Sequence, residues 1–536
     1  MTALLNRGMD QLRGFYSEGR LIDALDLTYT LIDQFPEISN IYLINGAINA
    51  ELGRYDSAIT SFNKVAELTP GYPEVYNRIG VAFKKIGDFE RAIINYKKAI
   101  ELNPSFSEAY SNLGNILSDM GRFNEGVSNY RKAVYLKPDF ADVFYNLGGT
   151  LSEQKQYGDS ITNFKQAIEL DPLHVKALYN LGNALTEMGR FEEAIGSYIR
   201  TIALNPGYQE AYNNLGNVLN ELLMNEKALF WLKNAIKLEP SYADCYNNIG
   251  NVFKDLGKNL DAKAYYKKAI KLGPDHVLAH RNLGVIEQIC DSDKQALKSF
   301  VRALIINPNL GSAQHMVSAL RGHTPASPPR DFIVGLFDDY AHRFDQHLIG
   351  SLGYKTPELL RGLHDRHFSK TAQYADVLDL GCGTGLSGVA FSDISERLVG
   401  IDLSTKMIEQ ARKKDIYYEL ITGDLVEKLS GLVGGSLSFN LFICTDVLVY
   451  IGDCLELFTL IKKLSSPGSI FVFSTEREDG DGFSLLNTGR YAHSQSYIRK
   501  LAKKMGYEII AVEDAIIRSD KRIPIGGNIF LTQSTS

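Results

Sequence analysis

Through the first three hundred residues, small, apolar and helix-breaking side chains return with one fixed spacing. Prolines fall at 36, 70, 104, 138, 172, 206, 240, 274 and 308, and glycines at 46, 80, 114, 148, 182, 216, 250 and 284, each 34 residues after the last. Ala58, Ala92, Gly126, Ser160, Ala194, Ala228, Ala262 and Ala296 keep the same step. A period of this length predicts a two-helix unit. Glycine and alanine mark where two helices approach too closely for a larger side chain. Tyr76, Tyr110, Phe144, Tyr212 and Tyr246 are expected to fill the space between neighbouring helices, and proline to end the second helix. No such unit can bury its apolar face alone, so the units must stack into a continuous superhelix with a concave inner surface.

Beyond residue 310 the rhythm changes. Residues 311–321 suit a capping helix, and Thr324-Pro-Ala-Ser-Pro-Pro329 a stiff linker. Residues 332–352 form an amphipathic pattern with Phe337, Tyr340 and Phe344 on one side, as core packing or as a ligand-facing surface. Apolar runs then alternate with helical stretches, which predicts βαβ units. Strands are expected near 376–380, 397–402, 418–422, 439–444, 468–474, 507–515 and 527–532. The expected architecture is multidomain: an all-α array of nine repeats over 5–310, a capping helix and linker over 311–330, and an α/β domain over 331–536.

The 34-residue order of glycine, alanine and proline resembles the tetratricopeptide repeat. Asparagine recurs in it at 112, 146, 180, 214, 248 and 282, and three residues later at 115, 183, 217 and 251. Those spacings share one helix face, which in this family lines the groove. Amide side chains offer a donor and an acceptor to an extended peptide backbone. A similar ladder grips clients in the repeat domain of O-linked N-acetylglucosamine transferases, so the resemblance implies a protein or peptide partner for Asn112, Asn146, Asn180, Asn214, Asn248 and Asn282. A merely polar groove would use the same residues.

Composition narrows the class. The chain is 45% hydrophobic and 22% charged with a net charge of −6, ordinary values for a globular protein. Neither half has the basic surplus that a phosphate backbone demands, so no nucleic-acid partner is expected. No apolar run has the length of a membrane span. The five cysteines lack metal-ligand or disulfide spacing, so no metal is expected and a reducing, cytoplasmic setting is.

The chemistry concentrates in Asp376-Val-Leu-Asp-Leu-Gly-Cys-Gly-Thr-Gly385, an apolar run opening into a glycine turn. Leu386 stands where a dinucleotide fingerprint needs glycine, and the pattern is instead D-x-G-x-G-x-G from Asp379 through Gly381, Gly383 and Gly385. This resembles the first motif of class I S-adenosylmethionine methyltransferases. The resemblance implies a Rossmann-like seven-stranded sheet whose last strand is antiparallel. It also implies a role for each matching residue. Asp402 would hold the ribose, the Gly381–Gly385 loop would pass under the methionine part, and Asp379 would help bind its amino end. Asp424 would accept from the adenine amine, with Leu403, Leu425 and Met407 near the ring. Asp424 equally suits a helix N-cap.

The acceptor side is less specific. Cys444-Thr-Asp-Val-Leu-Val-Tyr450 ends the fourth strand without the N/D-P-P-Y/F signature of amide methylation or a Pro-Cys nucleophile, leaving Asp446 and Tyr450 as generic lining candidates. Residues 474–494 are expected as a loop supplying Glu476, Arg490, Tyr491 and His493 as base, anion clamp and stacking face. His493 also sits just before a helix that Ser494 would cap. Together the two halves resemble the bacterial-type repeat methyltransferases. That likeness implies methyl transfer from S-adenosylmethionine, either to a client in the groove or to a small molecule or glycan beside a recruiting scaffold.

Overall fold

The computed structural model describes residues 2–290, 292–338, 341, 344, 345, 348, 354–435, 437–520 and 523–535. Two compact units, Met1–Leu215 and Gly216–Ser536, make up the chain. In the first, helices pair as Ser39–Glu51 with Tyr55–Leu68, Pro73–Lys85 with Phe89–Leu102, and onward at 34-residue intervals. Each second helix stops two residues before its proline, Leu68 before Pro70 and Leu102 before Pro104. The hairpin between paired helices turns on a left-handed residue. That residue is Gly87 or Gly121 in regular repeats but Lys155, at φ 59°, in one and Leu223, at φ 58°, in another.

The space between paired helices is filled differently from the sequence expectation. Tyr76, Tyr110 and Phe144 lie half-buried at the margins. In most pairs the closing side chain is a ring from the second helix set against the first-helix glycine, and over Gly216 it is Leu232. Tyr96 covers Gly80, Tyr130 covers Gly114, Phe164 covers Gly148 and Tyr198 covers Gly182. A methyl group on Gly182 would stand 2.6 Å from the Tyr198 ring. These rings are fully buried. Glycine is required by close approach, and the aromatic by the hole that glycine leaves.

The second unit ends the repeats with Ala243–Asp255, Asn259–Leu272, Val277–Cys290, Asp293–Ile306 and a final helix Gly311–Leu320. The helix predicted over 332–352 is seen as Arg330–Asp338. Tyr340 and most of the remainder to 352 lie outside the described residues. The sheet follows, with strands β1 (Tyr374–Leu380), β2 (Ser395–Asp402), β3 (Glu419–Thr422), β4 (Phe439–Cys444), β5 (Ser465–Glu478), β6 (Phe483–Leu485), β7 (Tyr491–Ser494), β8 (Tyr507–Asp520) and β9 (Ile523–Ser534). β3, β2, β1, β4 and β5 run parallel in that order. β9 lies antiparallel between β5 and β8. Glu476 of β5 pairs with β9 on one side and with Ala492 of β7 on the other, so the β6–β7 hairpin extends the edge where β4 has stopped. The segment expected as a loop over 474–494 is therefore largely strand.

Both sheet faces are covered. Leu378 and Leu380 of β1 point into a core with Phe442, Phe458 and Phe471, while Val377 meets Leu360, Leu363 and Ile529 on the other face. That alternation inside an apolar run is the signature of a strand buried on both sides.

The glycine–ring pairing yields a direct test. Gly182→Ala is expected to cost about 1–3 kcal/mol by overpacking against Tyr198. Gly149→Ala, in the neighbouring first helix with nothing within 4 Å of the added carbon, should instead gain up to about 1 kcal/mol from helix propensity. Thermal unfolding of the two variants distinguishes these outcomes.

Candidate active site

The parallel strands β1, β2 and β4 end at one edge, and the turns after them wall a cavity of about 1300 Å³. After β1 the chain reverses through Gly381, Gly383 and Gly385, all at positive φ. A side chain on Gly381 would strike Val447, whereas at Gly383 there is nothing within 4 Å. The first glycine is demanded by packing. The second leaves bare backbone facing open space, where a ligand can approach closely.

Asp402, at the end of β2, holds that turn. Its carboxylate accepts the Gly383 N–H at 2.9 Å and the Ser404 N–H at 2.8 Å, and it lines the cavity. Burial pushes its carboxyl up to about 6, against the pull of those backbone donors. Leu403 and Leu425 line the cavity as well. Asp424 does so too, and it caps the helix Leu425–Leu432 by accepting the Glu427 N–H at 3.1 Å. The cap and a second role on the cavity side are compatible.

Other predicted residues stand back from the cavity. Asp379 is fully buried and accepts the Ser387 hydroxyl at 2.8 Å and the Tyr417 hydroxyl at 2.7 Å. Burial again raises it to about 6. Its place is behind the glycine turn, bracing it. Gly385 and Met407 are likewise absent from the cavity wall, Met407 being fully buried.

On the acceptor side, Asp446 and Tyr450 both line the cavity. Asp446 is held at φ 54°, a strained backbone for a non-glycine residue. Its N–H donates to Ser474 Oγ at 2.8 Å, and its carboxylate accepts Ser474 Oγ at 2.9 Å and Thr356 Oγ1 at 3.3 Å. Tyr354 donates to it as well. Burial raises its pKa, opposed by the charges of Arg518 and Arg490. The Phe337 ring meets Tyr450 edge-on at 5.2 Å.

His493 and Tyr491 require correction. Both are fully buried in β7 and neither reaches the cavity. His493 Nε2 lies 2.9 Å from the Gly452 carbonyl and 3.4 Å from Cys454 Sγ, and desolvation lowers its pKa. It is a packed core histidine. Tyr491 packs on Gly452 and Phe483. The strand pairing of 491–494 with β5 turns them inward, which no local pattern announced. Missed by sequence were Thr356, Tyr354 and Arg518, scattered over more than 160 residues and joined only by the fold.

The repeat asparagines have partners of their own. In the first unit, Asn112 Nδ2 donates to Asn77 Oδ1 at 3.0 Å, Asn146 to Asn115 at 3.0 Å, Asn180 to Tyr145 Oη at 3.4 Å and Asn214 to Asn183 at 2.9 Å. Tyr130 and Tyr198 donate to the same Asn115 and Asn183 acceptors. In the second unit Asn282 donates to Asn247 and Asn251, and Asn248 accepts from Asn247. Asn112, Asn146, Asn180, Asn214 and Asn282 thus each staple their repeat to the one before it.

Comparison with known proteins agrees with this architecture. A family model described as a methyltransferase domain matches residues 373–515. Tetratricopeptide models match 46–87, 114–155, 150–189, 182–222 and 225–257, as well as 73–106 and 243–276. The chain carries tetratricopeptide repeats followed by a methyltransferase domain. The ubiquinone biosynthesis O-methyltransferase of Thiobacillus denitrificans is 29% identical over 131 residues, 23% of this chain and 52% of that protein. The 18S rRNA (guanine-N(7))-methyltransferase RID2 of Arabidopsis thaliana is 34% identical over 67 residues, 12% and 23%. The chain thus spans about half or less of these curated relatives. Among solved structures, YrrB, described as a tetratricopeptide protein with an unusual peptide-binding site, is 27% identical over 34% of this chain and 95% of its own, with a TM-score of 0.33. Among the described residues, no helix is long and apolar enough to cross a membrane, and no cluster of metal ligands occurs.

Two raised aspartates give the methyltransferase domain a pH signature. An acid near 6 in the fold and near 4 when unfolded favours the folded state below pH 4, and that contribution drains away as pH rises toward 6. The domain is expected to lose about 2–3 kcal/mol over that range on account of Asp379, and Asp379→Asn to flatten the fall. Calorimetric unfolding between pH 4 and 7 measures both.

Proposed function

We propose that the C-terminal domain is a class I methyltransferase using S-adenosylmethionine, and that the repeats engage a protein or peptide substrate or partner. The observation that carries the first part is Asp402 gripping an open glycine turn at the end of two parallel strands. The residues fit the cofactor: bare backbone at Gly383, with the carboxylates of Asp402 and Asp424 and the side chains of Leu403 and Leu425 lining the same cavity. Asp402 would accept the ribose hydroxyls and Asp424 the adenine amine, with the Gly381–Gly385 turn beneath the methionine part. Bound there, S-adenosylmethionine supplies an electrophilic methyl on a sulfonium. Asp446, facing the cavity from the end of β4, would take the proton of an O–H or N–H acceptor, and Tyr450 would wall the acceptor in. Orientation and exclusion of water would do most of the rest.

A second reading has its own support. The cavity is large for a cofactor alone and is walled by Leu336, Phe337, Leu457 and Leu460, as suits a small acceptor beside it. In that case the repeats recruit a partner without delivering the substrate. The stapling bonds leave the asparagine carbonyl oxygens of Asn112, Asn146 and Asn180 as acceptors for a peptide N–H, which supports a peptide on the repeats in either reading.

Asp402→Ala should weaken S-adenosylmethionine binding by about 2–3 kcal/mol, the worth of hydrogen bonds to a charged acceptor. Isothermal titration measures this, and unchanged affinity would refute the site. Transfer of label from methyl-tritiated S-adenosylmethionine into a cell lysate separates the two substrates. Discrete labelled protein bands, absent with Asp402→Ala, are the outcome the first reading expects; label confined to small molecules supports the second.

A further inference from the structure

Between β6 and β7 the chain reverses through residues 486–489. The Gly489 N–H donates to the Leu486 carbonyl at 2.9 Å and the Leu486 N–H to the Arg490 carbonyl at 2.8 Å. Those bonds fix the shape of the turn, and its position is held from the last repeat and the helix after it. Gln288 Nε2 donates to the Asn487 carbonyl at 2.6 Å, and Asn487 Nδ2 donates to Asp293 at 2.7 Å. His315, on the helix Gly311–Leu320, donates from Nε2 to the Gly489 carbonyl at 2.8 Å. The Leu485 N–H donates to Thr324 Oγ1 at 3.1 Å.

These contacts are unequal. The two made by Asn487 are exposed, and bonds between exposed groups compete with water and contribute little. The weight falls on His315, which is 1% exposed and stacked on Phe332 with ring centres 4.4 Å apart. A carbonyl can only accept, so Nε2 carries the proton. Nδ1 has no hydrogen-bond partner among the described residues, and the ring is neutral, the state that burial favours. Ala319 of the same helix packs with Leu485 and Tyr491 in one apolar cluster. Gly489 sits at φ 79°, and a side chain on it would stand 2.9 Å from Met316 Sδ, so backbone and close approach both require glycine there.

The residue that follows this turn, Arg490, lines the cavity, and its charge is felt by Asp446. The linker makes a second grip. The Ala326 carbonyl accepts the N–H groups of Gly452 at 3.1 Å and Asp453 at 2.9 Å, and Ala326 and Asp453 both line the cavity.

We infer that the last repeat and the helix Gly311–Leu320 are a working part of the acceptor wall, with His315 and Gln288 as positioning residues that set where Arg490 stands. This rests on the methyltransferase reading of the cavity, since the acceptor space lies beside the cofactor. An array that only tethered a partner would need no hold on a turn one residue from the cavity. The repeats therefore take part in the reaction even when the acceptor is a small molecule that never touches the groove.

His315→Phe keeps a ring over Phe332 and removes the donor to Gly489, and His315→Gln returns a donor on a flexible side chain. Gln288→Ala loosens the same turn from its exposed rim and leaves the core intact. Hydrogen exchange over residues 485–490 of the full chain is followed by mass spectrometry, beside S-adenosylhomocysteine titration and transfer of methyl tritium into a cell lysate. His315→Phe is expected to speed exchange there about tenfold and Gln288→Ala a few fold, with β1 and β2 unchanged. Transfer at saturating cofactor should fall several-fold in His315→Phe at unchanged S-adenosylhomocysteine affinity, and His315→Gln should recover much of both losses. Exchange over 485–490 that ignores both His315→Phe and Gln288→Ala overturns the docking, and a loosened turn with undiminished transfer overturns the positioning role. A chain whose turn loosens as expected but which binds no S-adenosylhomocysteine keeps the docking and overturns the cofactor reading instead.

Discussion

The methyltransferase domain depends on two carboxylates that the fold has withdrawn from water. Asp379 and Asp402 end neighbouring strands, and each is raised to about 6 because burial disfavours its charge. Neither is abandoned. Ser387 and Tyr417 donate to the first, and the N–H groups of Gly383 and Ser404 to the second. Those bonds set the glycine turn, and the turn sets the cavity floor. The remaining negative potential is unspent, and a cationic ligand would draw both acids back toward ionisation.

In the repeats the governing constraint is steric. In most pairs a ring from the second helix occupies the space above a first-helix glycine, while Leu232 fills it over Gly216. Asn112, Asn146, Asn180, Asn214 and Asn282 tie their repeats to a neighbour through the amide hydrogens. A ladder read as a binding device is first a structural one.

Much of this was visible along the chain. Nine prolines at one spacing can mean little besides repeated helix pairs, and D-x-G-x-G-x-G with two later acids marks the ends of three parallel strands. Asp402 ends β2 and Asp424 caps the helix after β3, and both line the cavity at the carboxyl edge of the parallel strands. His493 shows the opposite case. Its neighbours in sequence suggested a polar loop, but pairing of 491–494 with β5 carries it into the core beside Gly452 and Cys454.

The chain alone determined the period, the element types and the strand-end acids, since each follows from local spacing and the geometry of one turn or one strand. Tertiary structure decided which polar groups face the cavity and which are sealed away. Thr356, Asp446, Glu476 and Arg518 meet only because β9 inserts antiparallel between β5 and β8 and brings the end of β8 to the end of β4. A pairing between residues some 160 positions apart leaves no trace in the pattern of either segment. The sheet's register must exist before the wall of the site does.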